Sequence, residues 1–143
     1  MRVHGAPVAA AMNPHAATRR VEDADRKLSR RNVCSPCSIG FRVAATIAYA
    51  RAGHLDQARR RLRDAERIVG MWPGGAWHAA IWEARGVLRQ AEGDATRAAA
   101  LYDEAADQFA ELGRPLDRDR CRAAAQRTSR AGKVAAARAM LGR

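Results

Sequence analysis

The residues best suited to chemistry are Cys34 and Cys37, which are separated by a serine and a proline. A C-x-x-C pair can act as a redox dithiol or supply half of a zinc site. Thioredoxin-like chemistry requires a strand before the motif, and a closed zinc site requires two further ligands, whereas Cys121, His54 and His78 are isolated in the sequence. We interpret the motif first as a structural turn and helix start, with a metal site or a thiol-based redox sensor as alternatives.

Other catalytic arrangements find little support in the sequence. The four histidines are scattered, so neither a Ser-His-Asp nor a Cys-His arrangement is indicated. The glycines from Gly70 to Gly75 are followed by neither Lys-Ser nor a strand, as a phosphate-binding loop would require. We therefore predict a protein that is not an enzyme and uses no cofactor.

Charge and composition predict a helical protein with a basic character. The chain of 143 residues has a formal net charge of +11, and nearly all of its positive charge is arginine, concentrated towards the two ends of the sequence. This distribution leaves open a nucleic-acid-associated basic helical protein as an alternative. No apolar run approaches the ~20 residues of a membrane span. We expect a cytoplasmic protein with reduced thiols and no membrane partner.

A short sequence motif that begins at Gly53 recurs along the chain and predicts its architecture. It returns at Gly93 and Gly132, with small or large apolar residues at fixed offsets after each glycine. The repeat positions are Gly53, Ala58, Leu62, Ala65, Gly93, Ala98, Tyr102, Ala105, Gly132, Ala137 and Leu141. Each unit reads as a helix, a tight turn and a second helix, with a period of about 40 residues. Since one helix pair cannot bury its apolar stripe alone, the pattern predicts an all-α solenoid of stacked antiparallel pairs, with six to seven helices.

The pattern divides the chain into an arm and a repeat domain. The predicted segments are a flexible arm at 1–13 and a domain at 14–143, comprising the second helix of a partial repeat (14–31), repeat one (36–69), repeat two (76–112) and a partial repeat three (116–143). Ser35 is predicted to cap the helix that starts at Pro36. In repeat three, we predict a turn at Gly132 between a helix over about 116–130 and a final short helix from about 134. Trp77 and Trp82 are predicted to face the core, and Trp72 to be partly exposed.

The repeat resembles the tetratricopeptide repeat (TPR). The matching residues in the second copy are Trp82, Gly86, Gly93, Ala98, Tyr102 and Ala105. The sequence departs from the pattern at Thr46, where a small glycine is expected, and at Arg89, where a tyrosine is expected. Longer repeats of this type are familiar from the helical sensor regions of large LuxR-type and MalT-like bacterial transcriptional regulators. The resemblance therefore implies a regulatory context.

The resemblance also implies that the first helices of successive pairs line a concave groove. The positions carried over to this groove are Val43, Ile47, Ala50, Glu83, Val87, Gln90, Arg122 and Gln126. Such a groove would be apolar at one end and polar to basic at the other, which suits an extended peptide or a helix of a partner protein. We therefore predict a non-catalytic protein–protein interaction or scaffold module, linked to transcription regulation.

The positions at which the chain begins and ends within the repeat give one further expectation, about its association. The chain begins and ends in a second helix, and no polar capping helix is visible at either end of the pattern. Terminal repeats of a solenoid are normally capped by a polar face. We expect a piece of a longer solenoid, or a module that self-associates through its open ends.

Overall fold

In the computed structural model, every regular element is a helix within the described residues, which are 13–29, 34, 36–72 and 74–142. The α-helices in these ranges are α1 (Pro14–Ser29), α2 (Ile39–Arg51), α3 (Leu55–Val69), α4 (Ala76–Ala91), α5 (Ala95–Glu111) and α6 (Pro115–Leu141). A 3-10 turn, Pro36–Ser38, leads directly into α2. The all-α prediction is confirmed, and the observed helices begin and end within two residues of the predicted segment limits 14–31, 36–69 and 76–112. None of the described helices is both long and apolar enough to cross a membrane.

The beginning of the chain is described only from Asn13 onwards. The carboxamide Oδ1 of Asn13 accepts a hydrogen bond from the backbone N–H of His15 at 2.8 Å, which caps the first turn of α1. The rest of the predicted arm, residues 1–12, lies outside the described residues. Ser35, the predicted cap of α2, lies outside them as well.

Three glycines close helices in the same way. Gly53, Gly93 and Gly113 have φ values of 79°, 87° and 66°, the left-handed region that suits a residue without a side chain. The residue after each glycine donates its N–H to the carbonyl five residues earlier; His54 donates to Tyr49 at 2.9 Å. This is the Schellman arrangement, which satisfies the last carbonyls of a helix. The predicted turns at Gly53 and Gly93 are confirmed.

The predicted turn at Gly132 is wrong, because Gly132 lies inside α6, a single helix of 27 residues. A Cβ at this position would lie 2.8 Å from the Cβ of Ala95, the first residue of α5. The missing side chain thus lets α6 pass close to the start of α5. Ala137 and Leu141, predicted as core positions of a last helix, are exposed, Leu141 by 88%. The predicted helix pair in repeat three does not form.

The core is built mainly from small residues on facing helices. The second-helix positions predicted for the first two copies are all buried: Ala58, Leu62 and Ala65 on α3, and Ala98, Tyr102 and Ala105 on α5. Helix α2 packs against α1, α3 and α4, and α4 packs in turn against α5, which packs against α6. The pair α2–α3 is therefore stacked on the pair α4–α5, as predicted for a solenoid, and α6 packs against α5.

The tryptophans divide between core and surface. Trp82 is partly buried and packs against a cluster that contains Phe109 and Cys121. The guanidinium of Arg85 lies 4.6 Å from the centre of the Trp82 ring, within range of a cation–π contact. Trp77 lies in the first turn of α4 and is 47% exposed, so its predicted core position is wrong.

Ion pairs lie along the outer face of α3. Arg59 contacts Asp56 on its own helix and also Glu92 beyond the end of α4, at 2.7 Å. Arg85 of α4 pairs with Glu66 of α3 at 2.7 Å. The pairs between helices fix the position of α4 against α3, whereas exposed pairs within one helix each contribute little stability.

Candidate functional site: a basic cavity between the first helices

A cavity of about 470 Å³ opens between α2, α4 and α6, with further lining from Gly53 and from Tyr102 of α5. We call it the central cavity. It is lined by Ala50, Arg51, Gly53, Glu83, Val87, Gln90, Ala91, Tyr102, Arg120, Ala124, Arg127 and Thr128. This volume lies within the range of small-molecule and side-chain binding pockets.

The positions that α4 and α6 contribute follow one pattern. On α4, Glu83, Val87 and Gln90 are spaced by four and three residues, so that they share one face of the helix. On α6, Arg120, Ala124, Arg127 and Thr128 repeat the spacing of Glu83, Val87, Gln90 and Ala91. The displacement from Glu83 to Arg120 is 37 residues. The two helices thus present equivalent faces to the cavity.

The predicted groove residues are only partly brought together. Glu83, Val87 and Gln90 line the central cavity, and so does Ala50. Arg122 and Gln126 line a different pocket, shared with Asp103 of α5, so they do not join the other predicted groove residues in the central cavity. The physical reason is the register of α6. The predicted positions on α6 were counted back from Gly132 as if it were a turn. Because Gly132 lies inside α6, the predicted residues Arg122 and Gln126 lie two residues beyond Arg120 and Ala124, which line the cavity.

Val43 and Ile47 do not line the central cavity either. Val43 is buried in the core, and Ile47 is partly buried and packs against it. The predicted apolar end of the groove is therefore occupied by the packing of α2 against its neighbours. The signal that could have located the α6 residues is Gly113, the glycine that ends α5 and sets the start of α6.

A paired charge forms one wall of the central cavity. The guanidinium of Arg120 donates two hydrogen bonds to the Glu83 carboxylate, from Nε at 2.8 Å and from Nη2 at 2.7 Å. Arg120 also pairs with Asp117. Burial opposes ionisation of Asp117, but hydrogen bonds from Arg120 and Arg114 outweigh it and lower the pKa of this carboxyl. The charge of Arg120 is thus offset within the protein.

Arg51 and Arg127 differ from Arg120, because neither forms an ion pair within the part of the chain that the structure describes. Both guanidinium groups act on the phenol of Tyr102, whose hydroxyl donates to Oε1 of Gln90 at 2.8 Å. Burial nevertheless dominates and raises the pKa of Tyr102 to about 12. The phenol is therefore neutral near pH 7, and the two arginines retain their charge for other partners.

Thr128 is the most unusual polar group of the central cavity. Its side chain is 2% exposed, and its Oγ1 has no hydrogen-bond partner among the described residues. A buried hydroxyl without a partner costs about 1–3 kcal/mol relative to a satisfied one. The position was not anticipated from the sequence, since a threonine in a helix carries no signal of its burial.

The cysteine pair of the C-x-x-C motif forms a disulfide, Cys34–Cys37, with Cα atoms 5.3 Å apart. The expectation of reduced thiols is therefore wrong for this pair. No group of three His, Cys, Asp or Glu side chains that could hold a metal ion occurs within the described ranges. Cys121 is a free thiol, and burial raises its pKa to about 12, which suppresses the reactive thiolate.

A second, apolar cavity of about 290 Å³ lies where the connection from α3 to α4 meets the start of α2. It is lined by Pro36, Ile39, Ile68, Val69, Trp72, Gly74, Trp77 and His78. Nε2 of His78 lies 2.8 Å from the backbone oxygen of Trp72 and holds the connection against α4. Trp72 is 51% exposed, as predicted.

The fold and the central cavity define an all-helical protein of stacked helices with a basic opening lined by α2, α4, α5 and α6. Comparisons with protein-family models, with curated proteins and with solved structures found no match. The resemblance to tetratricopeptide repeats therefore rests on the sequence pattern and stays a prediction.

Proposed function

We propose that this chain is a non-catalytic protein-interaction module that binds a segment of a partner protein in the central cavity. The observation that carries the proposal is the cavity itself, which opens between α2, α4, α5 and α6 and is lined by polar groups of each. Hydrogen bonds between Tyr102 and Gln90 and between Arg120 and Glu83 fix four of those groups, so that they lose little freedom when a ligand binds. An extended or helical segment presents side chains at spacings that such a cavity can accept.

A finer proposal concerns the biological context. The TPR-like pattern around Gly86 and Gly93, and its similarity to helical sensor regions of LuxR-type regulators, support a role in bacterial transcription regulation. In that role the module would contribute sensing or scaffolding. Deletion of the coding sequence is expected to change the transcript levels of a restricted set of genes. A cavity-blocking allele would reproduce the change, whereas unchanged transcripts would argue against this context.

The binding proposal can be tested with a variant that fills the cavity. Ala91 lines the central cavity and is exposed, so Ala91→Trp adds a large ring there with little effect on the core. Ala100 is an exposed alanine on α5 outside the cavity lining, and Ala100→Trp provides the matched control. Peptides selected from a random display library against the wild-type protein would be measured against both variants by fluorescence polarisation.

We expect Ala91→Trp to lower the affinity by about tenfold or more, because the added ring takes up space that the peptide would occupy. A tenfold loss corresponds to about 1.4 kcal/mol of binding free energy. Ala100→Trp is expected to bind like the wild type. Selected peptides that bind Ala91→Trp as well as the wild type would place the binding surface elsewhere. A selection that enriches no peptide would also overturn the proposal.

A further inference from the structure

We propose that the central cavity recognises carboxylate side chains, so that its partner segment is an acidic peptide whose Glu or Asp residues bind Arg51, Arg127 and Thr128. This inference rests on the proposed function and deepens it by assigning the chemistry of the ligand. It follows from the charge of the cavity, from one unsatisfied hydroxyl and from the exclusion of a nucleic-acid ligand.

The first observation is the uncommitted positive charge. The cavity lining contains the arginines Arg51, Arg120 and Arg127 and a single acidic residue, Glu83. The two hydrogen bonds between Arg120 and Glu83 offset one positive charge against the negative one. Arg51 and Arg127 have no ion pair among the described residues and come from different helices, α2 and α6. A guanidinium binds a carboxylate through two parallel N–H donors, so each can hold one acidic side chain.

The second observation is the hydroxyl of Thr128. Thr128 lies one residue after Arg127 and also lines the cavity, and its Oγ1 is buried without a hydrogen-bond partner in the described part of the protein. Buried polar groups are nearly always satisfied, and an exception indicates a missing partner. A carboxylate oxygen held by Arg127 would accept a hydrogen bond from this hydroxyl. The Nε2 amide of Gln90 is a further donor, since its Oε1 already accepts from Tyr102.

The third observation distinguishes an acidic peptide from a nucleic acid. Single-stranded nucleic acids bind along a basic groove in which bases stack on exposed aromatic rings. The aromatic residue of the central cavity, Tyr102, is only 4% exposed and offers no ring face for stacking. The cavity holds two uncommitted charges at one place, which fits two side chains better than a continuous phosphate backbone.

The test uses two labelled octapeptides of known sequence and the full chain. In one, glutamate alternates with alanine; in the other, glutamine replaces every glutamate. The proteins are the wild type, the variants Arg51→Gln, Arg127→Gln and Thr128→Val, and the control Arg60→Gln. Arg60 is exposed on α3 outside the cavity lining, so this control removes the same charge elsewhere.

We expect the glutamate peptide to bind the wild type and Arg60→Gln, and to lose about tenfold in affinity with Arg51→Gln or Arg127→Gln. Thr128→Val is expected to raise the melting temperature without peptide, because it removes an unsatisfied hydroxyl, and to weaken binding of the glutamate peptide. Equal binding of the glutamate and glutamine peptides would overturn the inference. So would displacement of the glutamate peptide by a single-stranded oligonucleotide of equal charge, or a clear preference for a phosphoserine version.

The two proposals fail in different ways. Library-selected peptides could lose binding to Ala91→Trp while the glutamate and glutamine octapeptides bind the wild type equally well. In that case the carboxylate inference fails and the proposed function stands. If the selected peptides ignore Ala91→Trp, the proposed function itself fails.

Discussion

Gly86 of α4 lies directly against the ring of Tyr102 of α5. A Cβ built on Gly86 would lie 2.9 Å from Cδ1 and 3.0 Å from Cε1 of that ring. Gly86 and Tyr102 occupy two of the positions on which the TPR resemblance rests. The hydroxyl of the same tyrosine donates to Gln90, so the close contact also positions a polar group in the central cavity.

Gly86→Ala is expected to destabilise the protein. The added methyl group would force the buried ring of Tyr102 or the backbone to move, at a cost of about 1–3 kcal/mol for overpacking. This cost exceeds the gain of about 0.5–1 kcal/mol that alanine normally brings over glycine inside a helix. Urea unfolding of both proteins, with the midpoint as readout, measures the difference.

The control for this prediction is a double-mutant cycle with Tyr102→Leu. In that background the ring is absent, so Gly86→Ala is expected to be neutral or stabilising. An equal loss of stability from Gly86→Ala in both backgrounds would show that the contact with Tyr102 is not the cause.

Removal of residues 133–143 is expected to leave the free energy of unfolding almost unchanged. Residues 133–142 are all exposed, so their loss uncovers no core, and the change should stay within about 0.5 kcal/mol. Denaturant unfolding of the truncated and full-length chains provides the comparison. A loss of several kcal/mol would instead indicate that this segment packs as the helix of a third pair.

The cysteines are expected to differ in reactivity. In native protein without reductant, no thiol should react with Ellman's reagent at pH 8, since Cys34 and Cys37 are bonded and Cys121 is buried with a raised pKa. Denaturation should release one thiol, and denaturation after reduction should release three. Three reactive thiols in unreduced, denatured protein would contradict the disulfide.

The free energy of unfolding is expected to fall at high pH because Tyr102 ionises less readily in the folded protein than in the unfolded chain. Its pKa is raised from 10.0 to about 12 in the folded protein, so its contribution is complete below pH 10 and is lost as the pH rises towards about 12. Tyr102→Phe keeps the ring but cannot titrate. The stability advantage of the wild type over Tyr102→Phe should therefore shrink by about 1–2 kcal/mol between about pH 9 and pH 11.5.

Cys121 also lowers the stability at high pH, because burial raises the pKa of its thiol from 9.0 to about 12. The comparison is therefore made with Cys121→Ala present in both proteins, and unfolding midpoints are measured at each pH. An advantage that stays constant across this range would show that the Tyr102 phenol does not titrate differently in the folded protein.

Arg120→Met is expected to destabilise the protein through Glu83. The Glu83 side chain is only 14% exposed, and loss of both hydrogen bonds from Arg120 would leave its charge unpaired, at a cost of about 1–3 kcal/mol. Glu83→Gln should recover part of this loss. Arg118→Met removes an exposed pair with the adjacent Asp119 and should change the unfolding free energy by less than about 0.5 kcal/mol. Equal effects of the two arginine substitutions would contradict a special role of the Arg120 pair.

Local signals in the sequence determined the helical class and the bounds of most helices. The turns at Gly53 and Gly93 were predictable because a glycine with positive φ and an amphipathic stripe act over only a few residues. The buried faces of α3 and α5 followed from the same spacing. The TPR resemblance, rather than the spacing, placed Glu83, Val87 and Gln90 of α4 in a groove, and these three residues line the central cavity.

Only the tertiary structure decided the role of Gly132 and the face that α6 presents. A glycine can end a helix, and it can also allow two helices to approach closely. At Gly132 only the position of Ala95 on the neighbouring helix shows that the second role applies. The register of α6 in turn places Arg127 and Thr128, rather than Arg122 and Gln126, in the central cavity. Which arginines remain unpaired depends on acidic partners far away in the chain, because a charge is offset by what lies near it in space.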